Sequence, residues 1–259
     1  MIERLKLPKV QMTLALILIF LSAFRQLPFE QYIYALLVST ISCLSFDLLI
    51  SYIRIKKLFI PHAAMVTGMI IALIVNPNLV WYQIAFVCFI AMALKNYIRI
   101  SNRHILNPAA SGLLIGGLIF NTNVSWWGAS FQNLNNINLQ TLLPFIILLS
   151  PLYVSAFRMR RYFGILSFLL TYFIFLFLRG TDFGFALKST LDPTIIFFSS
   201  VMLPEPMTSP ADKKLQIFYG IFVAVASFIV SLRFLSNAIS FPDPLITALL
   251  LGNLIFFKK

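Results

Sequence analysis

Charge is scarce in this chain. Of its 259 residues 11% are charged, where a soluble domain carries about 25%. With 60% hydrophobic residues, that scarcity excludes an ordinary water-soluble globule. Cysteine is scarcer still: Cys43 and Cys88 each sit singly inside an apolar run. No Cys-x-x-Cys spacing is present to ligate an iron–sulfur cluster or zinc. Histidine occurs twice, at positions 62 and 104; a haem held between two helices uses such a pair, but two isolated histidines carry little of that signal. There is no Gly-rich nucleotide loop and no polar stretch of domain size, so the chain by itself lacks the means to take a hydride from NADH. The first apolar run has no small-residue cleavage site and leads straight into the next, which reads as a retained span rather than a signal peptide.

What the chain does have is one apolar run after another. Ten membrane spans fit, near 8–24, 29–53, 58–75, 79–97, 105–120, 141–157, 162–178, 190–203, 215–233 and 240–257. Several are shorter than the ~20 residues that cross a bilayer. The shortest ends at Pro204 and reads as a half-helix. The net charge of +12 suggests nucleic acid at first sight, but the basic residues lie at the ends of apolar runs, the membrane pattern. With the N-terminus inside, only Arg25, Arg179, Lys188 and Arg233 of the 20 basic residues fall outside. That asymmetry places both termini in the cytoplasm and the protein in the cell membrane as a multi-pass chain.

The runs repeat. Arg103-His104-Ile105-Leu106-Asn107-Pro108-Ala109-Ala110-Ser111-Gly112 aligns with Phe241-Pro242-Asp243-Pro244-Leu245-Ile246-Thr247-Ala248 at an offset of 136, so Asn107 falls on Asp243, Pro108 on Pro244 and Gly116 on Gly252. Asn or Asp before Pro, then small apolar residues, is a helix start: the side chain caps and proline suits the first turn. Asn76-Pro77 falls near Glu205-Pro206 in the same way. The chain therefore divides into a first five-helix unit at 1–120, an extracytoplasmic loop at 121–140 and a second unit at 141–259. Five is an odd number, so the units run oppositely through the membrane, as an all-α protein of two inverted five-helix repeats. Proline turns at membrane depth must be buried or line a cavity. The turns at 76–77, 107–108, 204–210 and 243–244 are expected to meet at one pocket.

The segment Leu203-Pro204-Glu205-Pro206-Met207-Thr208-Ser209-Pro210 forbids a continuous helix. Its hydroxyls and free N–H groups can hold a polar ligand edge, or form a rigid interfacial turn. Asp47 is an intramembrane acid and so a functional candidate; a local pair with Arg54 is the simpler account.

Met65-Val66-Thr67-Gly68, Asn76-Pro77, Lys95, the 103–112 segment, and Pro204–Pro210 followed by Phe218-Tyr219-Gly220 together resemble the RnfD/NqrB family, the membrane flavin subunits of Rnf and sodium-pumping NADH:quinone reductase complexes. The ordered set covers about 58 to 257. The resemblance implies bound FMN or riboflavin, electron transfer within a multi-subunit complex of membrane and peripheral redox partners, and coupling to Na⁺ or H⁺ movement. The family attaches FMN to a threonine in a "D-G-x-S-G-A-T"-like motif. Here Gly128-Ala129-Ser130 matches only the end of it, with Ser130 at the acceptor place. The acid is missing, and Trp126-Trp127, which read as an interfacial aromatic anchor, interrupt the pattern. A non-covalent flavin is the expectation. An isoalloxazine needs a flat apolar slot with a few placed polar groups. Asn107 supplies a donor and an acceptor there, or is a plain cap. Thr208, Ser209 and Glu205 are the further contacts, Glu205 as the motif's acid. Arg103 and Lys95 contact a phosphate or merely mark the inner side. Two other functions fit the same spans: a urea-channel-like solute channel or transporter, and a structural subunit without cofactor.

Overall fold

A chain this apolar has to satisfy its backbone N–H and C=O groups internally, and helices do so within one segment. The computed structural model describes residues 7–23, 29–56, 61–100, 103–130, 139–232 and 243–257. The first half holds α1 (Pro8–Ala23), α2 (Phe29–Ile55), α3 (His62–Ile74), α4 (Trp81–Tyr97) and α5 (Pro108–Phe120). A small antiparallel hairpin, β1 (Arg99–Ile100) with β2 (Arg103–His104), joins α4 to α5 and pairs Arg99 with His104. The second half holds α7 (Leu139–Leu148), α8 (Ser150–Tyr153), α9 (Tyr162–Leu178), α11 (Pro193–Phe197), α12 (Lys213–Val230) and α13 (Pro244–Phe256). Two short helices, α6 (Trp127–Ser130) and α10 (Phe183–Thr190), lie in stretches read from sequence as loop. Each is opened by polar or turn-forming residues, which masked its helicity in an apolar-run search; Asp182 caps α10 by accepting from Phe185 N–H at 3.0 Å. Arg4, Lys6, Arg25, Lys57, Arg233, Phe241, Pro242, Lys258, Lys259 and the 131–138 part of the loop expected outside the cytoplasm lie outside the described residues.

Among the described residues, Glu30–Ile55 and Lys213–Val230 are long and apolar enough to cross a bilayer alone. Shorter apolar helices of 10–17 residues stand in seven of the other eight expected spans, and α4 stands in the eighth. The outer surface is apolar: Leu14, Leu18 and Leu21 form an exposed stripe on α1, and Leu166 and Leu170 one on α9. Soluble proteins rarely leave such stripes uncovered, whereas lipid covers them.

The two aligned helix starts have the same local chemistry. Asn107 Oδ1 accepts from Ala110 N–H at 3.0 Å, and Asp243 Oδ1 accepts from Ile246 N–H at 2.8 Å. Proline follows in both, where its missing N–H is not needed. The helix packing repeats too. A Cβ on Gly116 would stand 2.4 Å from Val87 Cγ2, and one on Gly252 would stand 2.7 Å from Val223 Cγ2. Both contacts are related by the same sequence offset as the caps. α5 and α13 run antiparallel. The start of α5 meets the end of α13, where Asn107 N–H donates to Asn253 Oδ1 at 3.0 Å. The start of α13 meets the segment after α5, where Trp126 Nε1 donates to Asp243 Oδ2 at 2.8 Å.

Two π-helical segments, Val154–Arg158 after α8 and Phe198–Met202 after α11, lie against each other. A π turn leaves backbone carbonyls poorly served. Ser155 Oγ donates to Ser200 O at 2.5 Å across this contact.

The tightest helix crossings rest on missing side chains. A Cβ at Gly220 would fall 2.1 Å from Ser167 Oγ and 2.4 Å from Gly164 O, whereas one at Gly164 would meet nothing closer than 3.5 Å. Gly220→Ala is therefore expected to lower stability by about 1–3 kcal/mol through overpacking. Gly164→Ala should leave it unchanged or raise it, since alanine is favoured over glycine in a helix. Thermal unfolding of the two variants in detergent checks the difference.

Candidate functional site

The site is built where a helix broken by proline, α11, meets one begun by proline, α5. α11 and its π turn stop at Met202, and Pro204, Pro206 and Pro210 prevent any continuation. That leaves a run of carbonyls with no helical N–H to accept from. Arg103, on β2, meets most of them. Its Nε donates to Met207 O at 3.1 Å, and its Nη2 donates to Pro206 O at 3.0 Å and Ser209 O at 3.3 Å. Arg161 Nη2 adds a longer bond to Pro206 O at 3.4 Å. Burial, and then the neighbouring Arg103 charge, lower the Arg161 pKa from its ordinary value. Within the turn, Ser209 N–H and Ser209 Oγ both donate to Glu205 O, at 2.9 and 2.7 Å.

Higher up, the stranded carbonyls are met by a buried network across the two halves. Asn107 Nδ2 donates to Met202 O at 3.3 Å, and Tyr219 OH donates to Leu203 O at 3.5 Å. Asn253 Nδ2 donates to the Tyr219 oxygen at 2.9 Å while Asn253 Oδ1 accepts from the Asn107 backbone. Asn107 is thus a cap and a bridge at once. Asn253 escaped the sequence reading; its signal was an amide alone inside the apolar run of α13, at the place Gly117 holds in the first repeat.

In front of this network lies a cavity of about 720 Å³. The hairpin and the start of α5 contribute His104, Asn107 and Pro108; the broken turn contributes Glu205, Pro206 and Met207. α3 adds His62, Val66 and Thr67, α4 adds Lys95, and α1 with the end of the π turn closes the rim through Met12 and Met159. The walls are mainly apolar, with a few convergent polar groups, and the volume lies within the roughly 300–1,000 Å³ of small-molecule sites.

Two pairs of ionisable groups stand at the cavity, beside His62, Lys9 and Arg158. His104 Nε2 lies 2.9 Å from Glu205 Oε1, and Thr208 Oγ1 donates to the other carboxylate oxygen at 3.2 Å. Lys95 Nζ donates to Asp47 Oδ2 at 2.9 Å, and Asn96 Nδ2 donates to Asp47 Oδ1 at 2.9 Å. The expected Asp47–Arg54 pair is not formed; Arg54 Nη1 donates instead to the Asn96 carbonyl. On a helix, positions seven apart share a face, but α4 packs closer to Asp47 and offers the ammonium first.

The sequence-derived residues therefore separate. Asn107, Glu205 and Lys95 line the cavity. Arg103, Thr208 and Ser209 stand behind it and shape the turn. Ser130 is exposed at the far end of α3, next to Trp127, whose Nε1 donates to Ala72 O at 2.7 Å. The cavity runs along α3 from His62 to Ile70, and Ser130 lines no part of it. Trp126 and Trp127 are buried, not interfacial. The carbonyls at the end of α3, broken before Pro77, draw this segment inward: Ser125 N–H and Trp126 N–H donate to Ile74 O at 2.8 and 3.2 Å. The four proline turns do not meet at one pocket. Those at 107–108 and 204–207 do; those at 76–77 and 243–244 lie at the Trp126 end, because α5 and α13 run antiparallel and the segment after α5 reaches both the end of α3 and the start of α13. His62 and His104 both face the cavity, and among the described residues no group of three or more metal-ligating side chains exists. Cys43 and Cys88 are buried free thiols.

No curated protein matches the chain. A sequence profile of the NQR2, RnfD, RnfE family matches residues 3–256, nearly the whole length. The proline-broken helices, the capped starts and the cavity between them thus belong to a member of the NQR2, RnfD, RnfE family, the membrane-integral subunits of Rnf- and Nqr-type complexes.

Proposed function

We propose that this chain is an electron-transfer subunit that holds FMN or riboflavin non-covalently in the cavity between its two halves. In this reading the halves are two inverted five-helix repeats making ten spans, and the complex couples electron flow to Na⁺ or H⁺ movement through partner subunits. The observation that carries the proposal is the meeting of Asn107-Pro108 with Glu205-Pro206-Met207 around one flavin-sized apolar cavity. The residues fit the group. Val66, Ala109 and Val201 offer faces for a flat ring, and the Asn107 amide and the His104–Glu205 pair stand where a polar ring edge needs partners.

Bound flavin would supply reversible electron acceptance. The chain's own contribution is to exclude water with apolar walls, orient the ring through Asn107, and keep proton-bearing groups at its edge. Ser130 is exposed at the far end of α3 and lines no part of the cavity, so it does not hold this flavin. The solute-channel reading has less support: the seam between α5 and α13 is filled by the Asn107–Asn253–Tyr219 bonds rather than left as a passage.

Protein purified in mild detergent is expected to show flavin absorbance in the visible at near-stoichiometric content, released intact by denaturation. Protein that is colourless and stays colourless after incubation with FMN and with riboflavin would remove the reading. Ala109→Trp fills the cavity from α5 without touching a charged group, and should cut bound flavin more than tenfold while the protein still purifies as a monodisperse species. Denaturing gels should show no flavin fluorescence on the polypeptide; fluorescence abolished by Ser130→Ala would instead establish attachment there.

A further inference from the structure

Asp47 touches no part of the cavity and is 1% exposed, yet it holds the Lys95 ammonium, which does line the cavity. Both carboxylate oxygens are engaged, one by Lys95 and one by the Asn96 amide. Ser51 Oγ donates to Asn96 Oδ1 at 3.5 Å and fixes that amide in turn. The carboxylate is thus locked to α4 by two contacts from adjacent residues, and it cannot leave Lys95 without abandoning both. Far from water, an ion pair of this kind acts on its surroundings as a dipole, not as a free cation, and the low dielectric makes the difference large.

We infer that Asp47 is an electrostatic positioning residue: by neutralising Lys95 from behind, it withholds a positive charge from the cavity and so keeps a bound flavin hard to reduce. This rests on the flavin reading above. Two-electron reduction with uptake of one proton leaves a negative charge on a flavin ring, and an unopposed ammonium beside it would favour that form. The other ionisable groups around the wall form a background that these variants leave unchanged: Glu205 lies against His104, His62 is partly exposed, Lys9 and Arg158 sit at the exposed rim where solvent screens them, and Arg103 and Arg161 stand behind the turn with donors on its carbonyls. Lys95 is accordingly not a simple phosphate contact. Its charge is set by a residue on α2 that the ligand never meets.

The test is the midpoint potential of flavin in the purified protein, followed by its visible absorbance while a mediator-coupled electrode supplies two electrons and solvent the proton. Asp47→Asn keeps the shape and an acceptor for Lys95 and removes the negative charge. Its potential should rise by at least tenfold in the oxidised-to-reduced equilibrium, about 30 mV for a two-electron couple. Lys95→Met leaves the carboxylate alone and should shift it the other way. Asp47→Asn combined with Lys95→Gln removes both charges and should return the potential to within about twofold of the unmodified protein. Shifts of the two single variants in the same direction, or potentials unmoved while flavin stays bound, overturn the inference and make the pair a packing device. If a single variant fails to purify, the double variant decides: a shift beyond about twofold overturns the inference. Absence of flavin from the unmodified protein removes the flavin reading itself, and this inference with it.

Discussion

Carbonyl oxygens stranded by proline, in a place that water does not reach, are the constraint on which this structure turns. An unpaired buried carbonyl costs free energy comparable to a lost hydrogen bond, and lipid offers no substitute donor. α3 and α11 both end this way. The end of α3 is repaired by Ser125, Trp126 and Trp127 from the segment after α5. The end of α11 is repaired by Arg103 and Asn107 from the first half and by Tyr219 from the second. Each repair draws a distant stretch of chain to a helix end and fixes it there. The cavity is the space left in front of the second repair.

The starts of α5 and α13 are alike, but the repairs around them are not symmetric. The caps at Asn107 and Asp243 and the glycine contacts at Gly116 and Gly252 are near copies. The roles beyond them diverge. Asn107 bridges to Asn253 and Met202, whereas Asp243 receives the Trp126 indole. The start of α5 therefore faces a cavity, and the start of α13 is sealed by an aromatic cluster in which Trp126 lies against Phe197 and Phe198. The two ends differ because the arginine and the broken turn that frame the cavity stand at the Asn107 end.

The electrostatics follow the same economy. Basic residues dominate the composition, but the ionisable groups deepest in the cavity wall are tied to partners: Lys95 to Asp47 and His104 to Glu205. Arg103 gives its donors to backbone oxygens and stacks over the Phe257 ring at 5.9 Å. A cavity with paired charges and apolar walls suits a ligand whose own charge changes little on binding and whose polar contacts lie along one edge.

Much of this was legible in the residue order. Apolar runs fixed where the helices lie to within a few residues, since burial in lipid leaves a backbone no other way to satisfy itself. Asn-Pro and Asp-Pro marked two helix starts, because capping is a local matter of three or four residues. Which distant residues meet was not legible. Arg103 read as a phosphate contact or a charge marker and is a clamp on carbonyls a hundred positions away; Asp47 read as a partner of Arg54 and belongs to Lys95; Trp126 and Trp127 read as a lipid-facing belt and are buried. Those outcomes depend on which helices lie side by side and which way they run, and pairings between groups far apart in sequence are set by packing that no local pattern records. The sequence by itself determined the long apolar helices and the caps at Asn107 and Asp243, because both are set by neighbours in the chain; only the tertiary structure decided that two proline turns would stand at one cavity and the other two at the opposite end.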